Sequence, residues 1–489
     1  MLNRAAMSLF RRKSLERLRA EGGSQTLHRA LGPLDLTALG IGSIIGTGIF
    51  VMTGTTASLH TGPALAISMV VAAIACGLAG ICYAELASMI PVAGSAYTYS
   101  FATLGELVAW IIGWDLILEY ALAACTVAVG WSGYFVSFMD GLGLRLPRAL
   151  TAAPSVAITL ADGTVAHGLF NLPAALITIA VSLLLVRGIK ESARLNTVLV
   201  VVKSLVLIVF IAAGAAFVES KNLHPFVPPN TGEFGSFGWS GVLRGSGIIF
   251  FAFIGFDAVS TAAQETKLPQ RDLPIGILAS LAICTVLYIG VAVVLVGIVP
   301  YARLNVPAPL ALGVDAMGIR WLGPLIKVSA LFGMFSTMLV QLLGQSRIFF
   351  SMSRDGLLPA MFGKVHPRFR TPHLSTLLTG LVVATASGLT PIEVLGQLAS
   401  MGTLLAFVLV CIGIIVLRKT DPHAPRPFRV PGLPWVPIAG ALACLAQMAA
   451  LPWVTWERLF LWLGIGLVVY FGYGRTRAAR LHARQTTPH

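Results

Sequence analysis

The sequence predicts an all-α polytopic membrane protein of twelve transmembrane helices. They form two inverted five-helix repeats with broken helices 1 and 6, followed by two more helices. Three observations predict this. Hydrophobic residues make up 56% of the 489 and charged residues only 11%, against a usual charged share of about 25%. Apolar runs long enough to cross a bilayer recur twelve times along the chain. The first and sixth of these runs are interrupted by glycines, five helices apart, which is the mark of paired broken helices in an inverted repeat.

The apolar runs fall at 36–59, 63–89, 104–138, 169–186, 192–218, 240–264, 273–299, 321–353, 374–390, 394–417, 435–451 and 456–473. With an even number of spans both termini share one side. Lysines and arginines between spans decide which: 24 fall on the side of the termini and 7 on the other, so the termini are expected to be cytoplasmic. This pattern also accounts for the net charge of +14 without a nucleic-acid partner. The resulting division is a basic amphipathic N-terminus (1–33), a first repeat (34–218), an extracytoplasmic loop (219–239) and a second repeat (240–417). A cytoplasmic loop (418–434), helices 11 and 12 (435–473) and a basic tail (474–489) complete it. Outer helices 11 and 12 offer a place for a small accessory membrane subunit. The six cysteines all lie in apolar runs without metal-ligand spacing, and no metal or other cofactor is expected.

Helix 1 is broken at Leu39-Gly40-Ile41-Gly42-Ser43-Ile44-Ile45-Gly46-Thr47-Gly48-Ile49-Phe50. Each glycine inside a helix costs about 1 kcal/mol relative to alanine. Unwound backbone survives at membrane depth only where it is buried in protein or lines a cavity. Freed N–H and C=O groups there suit the carboxylate and ammonium of a zwitterion; close helix packing through small residues is the competing reading. Helix 6 repeats the theme with Gly245, Gly247 and Gly255 around Phe250-Phe251-Ala252-Phe253-Ile254-Gly255-Phe256-Asp257.

Ionisable groups inside spans are functional candidates because burying them is costly. Lys203 lies in the middle of span 5, too deep to snorkel, and is either a proton-coupling site or a permanently paired structural lysine. Asp115 and Glu119 are four residues apart on one face of span 3 and can partner Lys203 or a substrate ammonium. Asp257 follows the break in span 6, either capping the second half-helix or joining an ion network. Lys327 and Arg347 lie nearer the ends of span 8 and read as structural. Glu85, at the cytoplasmic end of span 2, reads as an organiser of a gate or loop. Gln341 and Gln345, one turn apart in span 8, are buried amides that need partners: a substrate side chain or a neighbouring helix.

Several stretches carry a resemblance. They are Gly42 through Phe50, Tyr83-Ala84-Glu85-Leu86, Pro91-Val92-Ala93-Gly94, Leu118-Glu119-Tyr120-Ala121-Leu122, 196–203, 250–260, Glu265-Thr266-Lys267 with Pro269-Gln270-Arg271-Asp272, and Met352 through Pro359. In order and spacing they resemble the amino acid–polyamine–organocation (APC) superfamily, and within it the bacterial branch of the cationic amino acid transporter (CAT) family. The resemblance implies a LeuT-type fold of five plus five helices with two added. It implies transport of L-amino acids by proton coupling or exchange. On that resemblance, Ile44, Thr47 and Gly48 present backbone to the substrate carboxylate. Phe251 and Ile254 line the pocket and offer carbonyls to the ammonium, with Phe251 also a gate. Lys203 stands where sodium-coupled relatives hold sodium, and Glu119 and Asp257 complete the polar network. Gln341 falls on a pocket position expected to be apolar in many bacterial relatives, so a polar or larger substrate is compatible.

The expected function is therefore an amino acid permease of the inner membrane, with substrate and proton as its partners alongside the bilayer. A substrate/product exchanger, a polyamine carrier and a non-transporting sensor are the alternatives. A membrane enzyme would need a nucleophile or metal constellation at depth, and the histidines show no such spacing.

Overall fold

The structure, a computed structural model, describes residues 11–13, 30–90, 92, 95–159, 164–188, 193–369 and 371–486. Most of the basic stretch at 8–19, Pro91 and Gly94 of the second motif, and the end of the basic tail lie outside the described residues. Among the described residues, eight helical stretches are long and apolar enough to cross a membrane, and four shorter apolar helices accompany them.

Helix α1 (Pro33–Ile44) starts on a proline, whose missing N–H costs nothing at that position, and the Asp35 carboxylate accepts from the Gly32 amide. It stops at the glycine-rich break. The chain resumes through a π-helical turn (Gly48–Met52), one α-turn (Thr53–Thr56) and a second π-turn (Ala57–Thr61). Gly62, at φ +58°, then reverses it into α2 (Leu65–Met89). A short helix α3 (Ser95–Thr103) precedes the long α4 (Glu106–Gly141), with Gly105 at φ +97° making the turn. A two-stranded hairpin, β1 (Ala157–Thr159) and β2 (Val165–His167), pairs antiparallel with Ala157 opposite His167. Helices α5 (Leu172–Val186) and α6 (Ala193–Gly214) follow.

The second half contains α7 (Gly238–Ile249), α8 (Pro269–Ile298), a short α9 (Pro309–Met317), α10 (Leu322–Arg354), α11 (His373–Leu389) and α12 (Ile392–Thr420). Then come α13 (Trp435–Ala450), α14 (Trp453–Val469) and α15 (Arg475–Thr486). Helices α3 and α9 and the hairpin fall between the predicted spans. They are too short or too polar to register as apolar runs.

Lipid supplies no hydrophobic drive between helices, so close backbone approach carries the packing. A Cβ added at Gly40 would sit 2.4 Å from Ser280 Oγ, and one at Gly276 would sit 2.7 Å from Leu36 Cβ, which locks α1 to α8. Gly344 takes the ring of Tyr120 (2.8 Å), joining α10 to α4. Helix α14 is peripheral. It docks on α4 through Trp114 and Trp462, stacked at 4.7 Å, each indole N–H donating to the other's carbonyl at 2.9 Å.

The end of the bundle that carries the N-terminal residues is tied shut. Glu85 is fully buried, and its carboxylate accepts from Arg418 Nε (3.0 Å), Arg418 Nη2 (2.7 Å) and the Val430 amide (2.6 Å). Arg11 pairs with Glu106 (2.8 Å) and Lys13 with Asp355 (2.6 Å), which also accepts from Tyr97 (2.6 Å). Glu85 thus holds the 421–434 loop against α2 and α12.

Candidate functional site

The site is built where the two broken helices cross. Helix α1 ends at Ile44, and Ile45 turns extended (φ −73°, ψ 97°). The interruption orphans carbonyls, and buried carbonyls must find donors. Lys203 Nζ, from α6, donates to Gly42 O at 2.5 Å and Ile45 O at 3.0 Å. Tyr288 OH, from α8, donates to Ile44 O at 2.9 Å. Thr337 Oγ1, from α10, lies 3.4 and 3.3 Å from the Gly42 and Ile45 carbonyls and 3.0 Å from Gly333 O. Tyr134 OH completes the set with Phe50 O at 2.9 Å. The ammonium therefore sits at the negative end of the α1 dipole, in a cradle of backbone oxygens.

The second broken helix passes directly against the first. After α7 the chain tightens into a 3₁₀ turn (Phe250–Phe253), Ile254 is extended (φ −62°, ψ 135°) and Gly255 takes φ +122°. Two contacts at the crossing admit no side chain. A Cβ on Gly48 would lie 2.2 Å from Ala252 Cα, and one on Gly255 would lie 2.8 Å from the Ser43 carbonyl. Ile44, Thr47, Gly48, Phe251 and Ile254 are thereby brought together, all of them buried. Phe250 and Phe253 are pinned by edge contacts to Phe407 and Tyr288, whereas Phe251 has no ring partner among the described residues.

A second polar cluster lies along α4. Asp257 Oδ2 accepts from Tyr120 OH (3.0 Å) and Ser95 Oγ (3.4 Å), and Ser95 is bonded in turn to Tyr83 OH. Its carboxylate makes no cap bond to the following turn, Ala258–Thr261. Glu119 is beside this group and buried, and among the described residues its Oε2 has no partner; the same holds for both oxygens of Asp115, one turn away and fully buried. Gln341 lies one helical turn beyond Thr337. Its Oε1, that of Gln345 and the hydroxyl of Thr47 are buried without partners among the described residues. Lys327 and Arg347 are both tied inward, to Ser137 O (3.1 Å) and Thr261 Oγ1 (3.0 Å).

From the end opposite the ion pairs, a cavity of about 640 Å³ descends between α4, the hairpin region and the starts of α9 and α12. Asp140, Arg148, Asn171 and Glu393 line it, and Val51, Thr55 and Gly130 are among its residues. Gly130 packs on Thr47, where an added Cβ would come within 2.5 Å of Thr47 Cγ2. The cavity thus ends beside the first break.

Residues 31–471 match the family model for amino acid permeases. The chain belongs to the amino acid permease family. The permease is accordingly a member of the APC superfamily and a multi-pass membrane transport protein. It is 50% identical over 470 residues to the branched-chain amino acid permease BcaP of Bacillus subtilis (strain 168), covering 96% of this chain and 98% of the relative. It is 48% identical over 468 residues to a methylthioribose transporter of the same organism, with the same coverage. A vacuolar cationic amino acid transporter 4 of Arabidopsis thaliana is 38% identical over 418 residues, 85% of this chain and 68% of the relative. All three are transporters by name.

Sequence reasoning missed the donors. Tyr288, Thr337, Tyr134 and Tyr120 sit in apolar helices where a hydroxyl draws no attention, and Ser95 opens the short α3 between predicted spans. Their only signal is relational: each lies on a helix packed against a break.

Proposed function

We propose that the permease is a proton-coupled secondary transporter of neutral L-amino acids, working by alternating access, with branched-chain side chains as its preferred class. The observation that carries the coupling is the Lys203 ammonium lodged on the Gly42 and Ile45 carbonyls. An ammonium is a removable cation in a cradle of oxygens. Loss of its proton empties the cradle of charge and loosens α1 from α6, which gives the protonation state a mechanical effect. Support for alternating access comes from the asymmetry of the two ends: at one, buried and half-buried ion pairs tie separate helices together, while at the other a cavity reaches the break with the exposed Arg148–Asp140 pair (2.8 Å) on its wall. The LeuT-type repeat, the twelve-span topology and the cytoplasmic termini are part of the same reading. So are the roles of Ile44, Thr47, Gly48, Phe251 and Ile254 as pocket, and of Glu119 and Asp257 as companions in proton transfer.

Similarity to BcaP favours branched-chain substrates. One observation favours a second reading: Gln341 offers a buried carbonyl oxygen with no partner among the described residues, and a hydroxylated substrate such as methylthioribose would satisfy it. Uptake into proteoliposomes, with the twenty L-amino acids and methylthioribose, with and without an inward proton gradient, tests both. Gradient-dependent accumulation of leucine, isoleucine or valine is expected. Accumulation of methylthioribose alone transfers the assignment to the second reading, and exchange without gradient-driven accumulation removes proton coupling.

A further inference from the structure

A groove runs along the membrane-facing side of the bundle between α2 and α8. Its deeper part, about 500 Å³, is lined by apolar positions such as Ile74 and Gly77 of α2 and Leu278, Thr285 and Ile289 of α8. Leu278 also lines a second hollow of about 610 Å³, whose wall includes Arg271 and Phe428. The two are continuous along one face of α8. From Arg271 to Ile289 that face spans about 27 Å at 1.5 Å per residue, most of a hydrocarbon core of about 30 Å. A Cβ on Gly77 would meet nothing within 4 Å, so the floor is open. The mouth is cationic. Arg271 is exposed, its amide donates to Leu268 O (3.0 Å), and its guanidinium has no hydrogen-bond or ion-pair partner among the described residues; exposed Lys267 and Arg429 flank the lining residues in sequence. The nearby acid in the chain, Asp272, is buried and accepts from the Leu268 amide (3.3 Å), so it does not neutralise the arginine.

We propose that this groove seats an anionic phospholipid, its phosphate at Arg271 and one acyl chain lying past Leu278 and over Gly77. The charge at the mouth selects the headgroup and the apolar floor selects a chain, which an isolated anion lacks. The proposal rests on the transport reading only for the leaflet, which the expected orientation makes cytoplasmic. The seat faces the mechanism, because α8 carries it on one side and on the other holds α1 through Ser280 against Gly40.

The test is native mass spectrometry of the detergent-purified permease with phosphatidylglycerol and phosphatidylethanolamine at equal concentration. Wild type is expected to retain phosphatidylglycerol preferentially. Arg271→Gln should cut that preference about fivefold, the factor equivalent to the roughly 1 kcal/mol that one basic residue contributes at an anionic membrane surface. Arg271→Lys should keep most of it. Gly77→Leu should lower retention of both lipids without changing their ratio. An unchanged ratio in Arg271→Gln overturns the headgroup assignment. Undiminished retention in Gly77→Leu, or blockade by glycerol 3-phosphate as effective as by the whole lipid, overturns the chain seat. Because lipid is counted without flux, failure of proton-driven uptake in the same preparation would fall on the transport reading alone.

Discussion

Replacing Lys203 by methionine keeps most of the side chain's volume and deletes the ammonium that donates to the carbonyls of Gly42 (2.5 Å) and Ile45 (3.0 Å). A hydrogen bond to a charged group contributes roughly 1.5–3 kcal/mol, so losing two sets an upper bound of roughly 3–6 kcal/mol. Thr337 Oγ1 lies within reach of both carbonyls and can satisfy one of them, which brings the expected loss to about half that bound. The variant should therefore fold with a lowered unfolding temperature. Its transport should change in kind. One pH unit across the membrane is a tenfold proton ratio, about 1.4 kcal/mol. A carrier moving one proton per substrate can thus concentrate leucine up to about tenfold. Lys203→Met should only equilibrate leucine while still exchanging labelled for unlabelled substrate. Continued gradient-driven concentration by this variant would refute the coupling argument. Loss of exchange together with accumulation, in a folded variant, would make Lys203 a brace for the break and nothing more.

Other consequences follow from the same geometry. Gly48→Val forces a side chain into Ala252, whose Cα is 2.2 Å from the added Cβ; backbone cannot yield as a side-chain tip does, so substrate-induced thermal stabilisation should vanish, and near-normal affinity would count against the crossing as the binding site. Gln341→Leu removes a buried oxygen that has no partner among the described residues, so stability should hold or rise slightly while competition assays shift toward apolar substrates; an unaltered competition profile would take Gln341 out of the pocket. Glu85→Gln leaves Arg418 and the 421–434 loop without their buried carboxylate and should cost on the order of 2 kcal/mol, discounted from the roughly 3–5 kcal/mol of a fully buried pair because Arg418 is partly exposed. Thermal unfolding measures it, and an unchanged midpoint would show that the pair does not hold that end.

The breaks were legible because glycine is the residue that permits them. Gly48 and Gly255 each stand where a Cβ would strike backbone, and a composition rule about helix interiors is enough to notice such residues. Lys203 was legible for the complementary reason, a charge in an apolar run. Its partners were not. The sequence suggested carboxylates, Asp115 or Glu119, but the hydrogen bonds described run to main-chain oxygens that exist only because α1 stops at Ile44. A broken helix creates acceptors that no residue letter records. The same limit hid Tyr288 and Thr337, since the rotational setting of an apolar helix cannot be read where nearly every face is apolar. The end-closing pairs Arg11–Glu106 and Lys13–Asp355 were invisible because they join residues 95 and 342 positions apart.

Occupancy of the first break has a consequence for the substrate in the proposed mechanism. The carbonyls of Gly42, Ile44 and Ile45 already receive Lys203 and Tyr288, so a substrate ammonium must turn to the second break. There the Phe251 carbonyl, which accepts only the Ile254 amide at 3.2 Å among the bonds described, keeps a lone pair. The substrate's charge then bridges the two halves: carboxylate to the N-terminal turn at Thr47 and Gly48, ammonium to the 251–254 segment. Deleting the ammonium should cost one charged hydrogen bond, roughly 1.5–3 kcal/mol, or about 10- to 150-fold in affinity. Competition of 2-hydroxy-4-methylpentanoate against labelled leucine measures this directly. A hydroxy acid that competes as well as leucine would place the recognition elsewhere. Such a result would also favour a carrier of neutral hydroxylated substrates, for which the second break needs no cation at all.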